Sequence, residues 1–165
     1  MASMSREMEM PAAPKYMAVQ VAAAIVAAVL VVLGVLGFIP GVTTHLGQLS
    51  WAGQRSHTFL FGTFAVSAVQ NIVHLVVGAA GALMARTYAG ARAYLLAGGV
   101  VYLGLWLYGL LVTRGSDADL LPLNQADNWL HLGLGGVMVL LAVTLAGQHD
   151  PTKRRTGLRR HVPSH

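Results

Sequence analysis

Charged side chains divide this chain into four long uncharged stretches, residues 16–54, 56–85, 93–113 and 128–149. Within each, apolar residues run on continuously, rich in Ala, Leu and Gly, with no alternation of apolar and polar positions. A helix rises about 1.5 Å per residue, so about 20 residues cross a hydrocarbon core about 30 Å thick. The pattern predicts four transmembrane helices, over residues 17–39, 59–85, 93–112 and 129–147. The second is long enough to tilt or to protrude from the bilayer. Strands are not expected, because an open sheet cannot satisfy its backbone in lipid and the runs lack the alternation of a barrel. Gly37, Pro40 and Gly41 end the first span, since proline cannot continue a helix and glycine permits the turn that follows. The first apolar run is too long for a cleaved signal peptide, and Glu7 and Glu9 stand before it beside Arg6 and Lys15, so it is read as a retained helix. The expected organisation is a tail over 1–16, a four-helix transmembrane domain over 17–147 and a basic tail over 148–165.

Composition agrees with the pattern: 55% of residues are hydrophobic and only 10% charged, where soluble domains carry roughly a quarter charged. The chain of 165 residues has no cysteine, which excludes disulfides, thiolate zinc sites and iron–sulfur clusters. Basic residues next to spans are retained on the cytoplasmic side. With both termini inside, the inner flanks hold Arg6, Lys15, Arg86, Arg92, Lys153, Arg154, Arg155, Arg159 and Arg160, and the outer flanks only Arg55 and Arg114. The net charge of +5 is thereby explained by topology and by contact of the basic tail with anionic lipid headgroups, and no nucleic-acid partner is expected.

The one internal repeat lies inside the membrane. Asn71, His74, Leu75 and Gly78 are matched by Asn128, His131, Leu132 and Gly135, so that N-x-x-H-L-x-x-G occurs twice, 57 residues apart, in a chain with three Asn and seven His. The spacing puts Asn, His and Gly on one face of a helix. On the second span this face continues through Ser67, Gly81 or Ala82, and Ala85, a polar and small-residue stripe that should face protein. Spans two and four run in the same direction, which predicts a pseudo-repeat relating helices 2 and 4 about an axis along the membrane normal. The span limits nevertheless place His74 nearer mid-membrane and His131 nearer the outer surface. Three readings are open. The Asn and His side chains satisfy one another across the bundle and fix helix register. Alternatively, His74 and His131 hold a cofactor, haem b, another metal or a quinone headgroup, with Gly78 and Gly135 leaving room for a flat ring and Asn71 and Asn128 orienting the imidazoles. In the third, the histidines line a path for protons or a small solute.

Other chemistry is sparse. His45 and His57 with Asp117, Asp119 and Asp127 supply cation-ligating groups to the outer loops, but without a recognisable ligand spacing. Tyr94, Tyr102, Trp106 and Tyr108 are expected as interface anchors and packing residues, and Trp51 and Trp129 at the outer headgroup level. No phosphate-binding loop, nucleophile elbow or carboxylate pair is present, which points away from an enzyme. The many glycines leave a homo-oligomer or a larger membrane complex open as partners.

From Gly37-Phe38-Ile39-Pro40-Gly41 through Asn71-Ile72-Val73-His74-Leu75 to Asp127-Asn128-Trp129-Leu130-His131-Leu132, the chain resembles the bacterial membrane family called domain of unknown function 4383. The resemblance covers nearly all four spans, and its specific part is the Asn-x-x-His-Leu pair. It implies a four-helix protein of the bacterial inner membrane and no established activity. Family members often carry a histidine before the first Asn; Gln70 stands there in this chain. A looser similarity to four-helix DoxX-like proteins implies quinone-linked redox partners.

Overall fold

A computed structural model describes residues 17–52, 57–113 and 120–145. Four helices dominate it: α1 (Ala18–Leu36), α2 (Ala68–Met84), α3 (Tyr88–Leu111) and α4 (Gln125–Thr144). The expected all-α class holds, with one correction. The apolar run before α2 is not helical. It supplies β2 (Phe59–Leu60) and β3 (Phe64–Ala65) of a small antiparallel sheet whose other strand, β1 (Thr43–Thr44), follows α1, in the order β1-β2-β3. Leu60 pairs with Phe64, so the β2–β3 turn comprises Phe61, Gly62 and Thr63, and the first two have positive φ, 53° and 65°. Glycine accepts that geometry freely. The second helix is therefore the shortest of the four, 17 residues or about 26 Å, where a long and protruding span was expected. α1, α3 and α4 are long and apolar enough to cross a membrane.

Helix starts follow from local chemistry, because the first backbone N–H groups of a helix lack intrahelical partners. Ser67 Oγ accepts from Gln70 N at 3.3 Å, and Thr87 Oγ1 from Gly90 N at 3.1 Å. At α4 the capping is reciprocal: Asn124 Oδ1 accepts from Asp127 N, and Asp127 Oδ2 from Asn124 N, both at 2.9 Å. α3 starts at Tyr88, five residues before the expected limit, because Thr87 supplies this cap.

α1 packs antiparallel on α2 and α3 on α4, and the two hairpins meet chiefly through α1 against α3. Val19, Ala23, Leu30, Ala91, Leu95, Met138 and Ala142 are fully buried along these seams. At the far end of the first hairpin, buried Gln20 donates to Ala85 O at 3.1 Å. The outward faces remain apolar: Ile25, Val32, Leu110, Leu111, Leu140 and Val143 are all exposed. Such a surface is stable in hydrocarbon and not in water.

Candidate functional site

The two motif copies occupy the same register. Asn71 and Asn128 are each the fourth residue of their helix, His74 and His131 the seventh, and Gly78 and Gly135 the eleventh. Because α2 begins at Ala68, the two histidines stand equally far from their helix starts, without the offset that the expected span limits gave them.

Within each copy, Asn and Gly face the hairpin partner. A Cβ added at Gly37 would overlap the Asn71 amide, and one at Gly109 the Asn128 amide, so each Asn is seated on a glycine of the neighbouring helix. Asn128 Nδ2 donates to Gly109 O at 3.1 Å. Asn71 is completely buried, and its amide atoms have no hydrogen-bond partner. Further along, a Cβ at Gly78 would lie 2.8 Å from Ala27 O and 2.9 Å from Val31 N; at Gly135 it would lie 2.9 Å from Gly99 O and Leu103 N. Backbones approach this closely only where a side chain is missing. No side-chain hydrogen bond joins any two of Asn71, His74, Asn128 and His131, all of which are described residues.

The histidines turn the other way. His74 and His131 both line a cavity of about 410 Å³ between α2 and α3, together with Gln70, Tyr94 and Tyr102. Asn71, Asn128, Gly78 and Gly135 do not line it. The Tyr102 and His131 rings are 5.6 Å apart between centroids and tilted by 42°. Tyr94 crosses from α3 to α2, its phenol lying where a Gly81 side chain would be. His131 is 3% exposed and Tyr94 5%, yet His131 Nδ1, Tyr94 Oη and Gln70 Oε1 are buried without partners. Gln70, Tyr94 and Tyr102 were not legible as site residues. The available signal was that Tyr94 and Tyr102, eight positions apart, are the tyrosines within the central, otherwise small and aliphatic part of α3, between Arg92 and Trp106.

Asp127 has a different place from the expected outer-loop ligand. It is 1% exposed in the first turn of α4 and accepts from Ala65 N at 3.2 Å. Asn124 Nδ2 donates to Thr63 O at 2.6 Å. These two bonds fasten the β2–β3 turn to the start of α4. His45 is exposed, and no group of three potential metal ligands occurs among the described residues. Asp117 and Asp119 lie outside the described residues, as do Arg55, Arg114 and the basic tail. Trp51 and Trp129 are 71% and 65% exposed, whereas Tyr108 Oη accepts from Leu120 N at 2.7 Å.

Apolar helices of membrane-crossing length, an apolar exterior and hairpins closed on glycine define a small membrane protein. The chain matches the model of the family described as domain of unknown function (DUF4383) over residues 20–144 and belongs to that family. No curated protein and no solved structure matches it. The looser likeness to DoxX-like proteins is not borne out.

Proposed function

We propose that the protein is a non-enzymatic accessory or assembly subunit of the bacterial cytoplasmic membrane. It crosses the bilayer four times with both termini in the cytoplasm, and α1–α2 and α3–α4 are two copies of one hairpin unit. One observation carries this reading. A shift of 72 residues takes Ala27, Val31 and Gly37 to Gly99, Leu103 and Gly109, while a shift of 57 takes Asn71 and Gly78 to Asn128 and Gly135, and the contacts correspond pair by pair. Repeats of this kind, related by an axis along the membrane normal, are a recurrent way to build membrane bundles. The motif's Asn and Gly then serve assembly: small residues bring backbones together, and a buried amide fixes the register. The excess of basic residues in the proposed inner flanks supports the orientation. Self-association or docking into a larger membrane complex fits a unit whose motif Asn and Gly residues are committed to packing.

The competing class is a haem-binding redox protein, which would use His74 and His131 as axial ligands. An axial histidine's second ring nitrogen is ordinarily held by a carbonyl or carboxylate, and His131 Nδ1 has no such partner. The absorbance spectrum of the purified, haem-supplied protein, recorded before and after dithionite, separates the two. The assembly reading predicts a featureless Soret region. A Soret band that shifts on reduction and vanishes in His74→Ala would replace it with electron transfer.

A further inference from the structure

We infer that the cleft between α2 and α3 binds one uncharged amphipathic molecule taken from the bilayer, a single hydrocarbon or isoprenoid chain whose hydroxyl or carbonyl head hydrogen-bonds to His131. The lining has two components. Most of it is aliphatic, and three of the lining residues carry a buried polar atom without a hydrogen-bond partner: His131 (Nδ1), Tyr94 (Oη) and Gln70 (Oε1). Buried polar groups in native proteins are almost always hydrogen-bonded, and more so where no water competes. Groups left over in an apolar cleft mark where a ligand's own polar atoms sit. A neutral imidazole nitrogen either donates or accepts according to tautomer, and a phenol does both. The set accordingly suits an alcohol or a quinone-like carbonyl.

Charge narrows the class. Among the described residues, the lining contains no Asp, Glu, Lys or Arg. A phosphate or carboxylate head placed there would lose its hydration with no counter-charge to replace it. Phospholipids, prenyl phosphates and fatty-acid anions are therefore disfavoured relative to neutral molecules with the same chain.

Shape and access agree. The α2 lining runs from Val69 to Met84, about 22 Å along the axis, so the site is a groove the length of a chain, with the histidines toward one end. Val73, Val76 and Val101 belong to the lining and are also 49%, 61% and 60% exposed, which opens the groove sideways onto what would be lipid. Leu121 and Leu123 line it as well, beside the start of α4. Entry is then lateral from the membrane.

The test is binding to the full-length protein in detergent, followed by tryptophan fluorescence, with farnesol, decylubiquinone and farnesyl phosphate as probes. Saturable, one-to-one binding of farnesol or decylubiquinone is expected, with farnesyl phosphate at least tenfold weaker than farnesol; which neutral probe binds more tightly identifies a hydroxyl or a carbonyl head. Loss of one ordinary hydrogen bond corresponds to roughly a 3–10-fold weakening, the effect expected of His131→Phe. Ala97→Leu keeps every polar group and fills the groove, and should weaken binding by more than tenfold without loss of fold. Absence of saturable binding for both neutral probes, equal affinity for the phosphate, or unchanged affinity in Ala97→Leu would each overturn the assignment.

Discussion

Replacing Gly135 by alanine adds a methyl group 2.9 Å from Gly99 O and from Leu103 N, both backbone atoms of α3. Neither can rotate away as a flexible side chain would, so α4 must move off α3 by several tenths of an ångström or more. Forcing extra volume into a packed seam costs typically about 1–3 kcal/mol. Gly136, one position on, is the internal control, because a Cβ there meets nothing within 4 Å. Alanine at that exposed site gains helix propensity, up to about 1 kcal/mol in aqueous scales. For a chain of this size, 1 kcal/mol corresponds to a shift of about 2–4 °C in Tm. Thermal unfolding in detergent should therefore place Gly135→Ala below wild type by a few degrees to about 12 °C, and Gly136→Ala at or above it. The same ordering is expected for Gly78→Ala against Gly133→Ala, whose Cβ also meets open space. If Gly135→Ala and Gly136→Ala melt together, the close backbone approach at the motif glycine is wrong, and the hairpin unit loses its basis.

Three further outcomes follow from the same geometry. Asn128→Leu leaves Gly109 O without its donor and should cost roughly 1–3 kcal/mol more than Asn71→Leu, which overfills a comparable seat on a glycine but removes an amide with no partner; chemical unfolding of both variants checks the asymmetry. Gly109→Ala drives a methyl group into the Asn128 amide and should destabilise at least as much as Gly135→Ala in the same melt. Asp127→Ala strands the buried Ala65 N–H, costing roughly 1–3 kcal/mol for that donor. It should speed hydrogen exchange over the β2–β3 turn while the seams of α1–α2 remain protected, and uniform loss of protection would refute a local fastening role.

Three of the helices were legible because lipid imposes one rule, a sustained apolar run without charge, and α1, α3 and α4 obey it with limits shifted by a few residues. The same rule misread residues 59–67. Phe59, Leu60, Phe61 and Phe64 are as apolar as any span, and hydropathy does not separate an apolar hairpin from a helix. The signals that do separate them were present: Gly62 at the turn, aromatics that favour strands, and Ser67 placed three residues before Gln70 as a helix-start signature. Spacing alone found the repeated Asn-His-Gly pattern but not its division of labour. Residues at i, i+3 and i+7 share a broad face, and only the placement of the partner helix decides that Asn71 and Gly78 point into the α1 seam while His74 points into the cleft. Tyr94, from α3, could not be assigned to the cleft from sequence, since its position there depends on Gly81 of another helix.

The claim on which everything else rests is that this chain spans a membrane with the β1–β3 end of the bundle outside. The absence of cysteine lets it be tested with single cysteines and no background. Gly47 is exposed in the loop after α1, and Ala89 is exposed at the start of α3. In intact cells treated with a membrane-impermeant maleimide, Gly47→Cys should be labelled, and Ala89→Cys only after permeabilisation. Labelling of Ala89→Cys alone in intact cells would invert the orientation, and equal labelling of both would contradict a span between them.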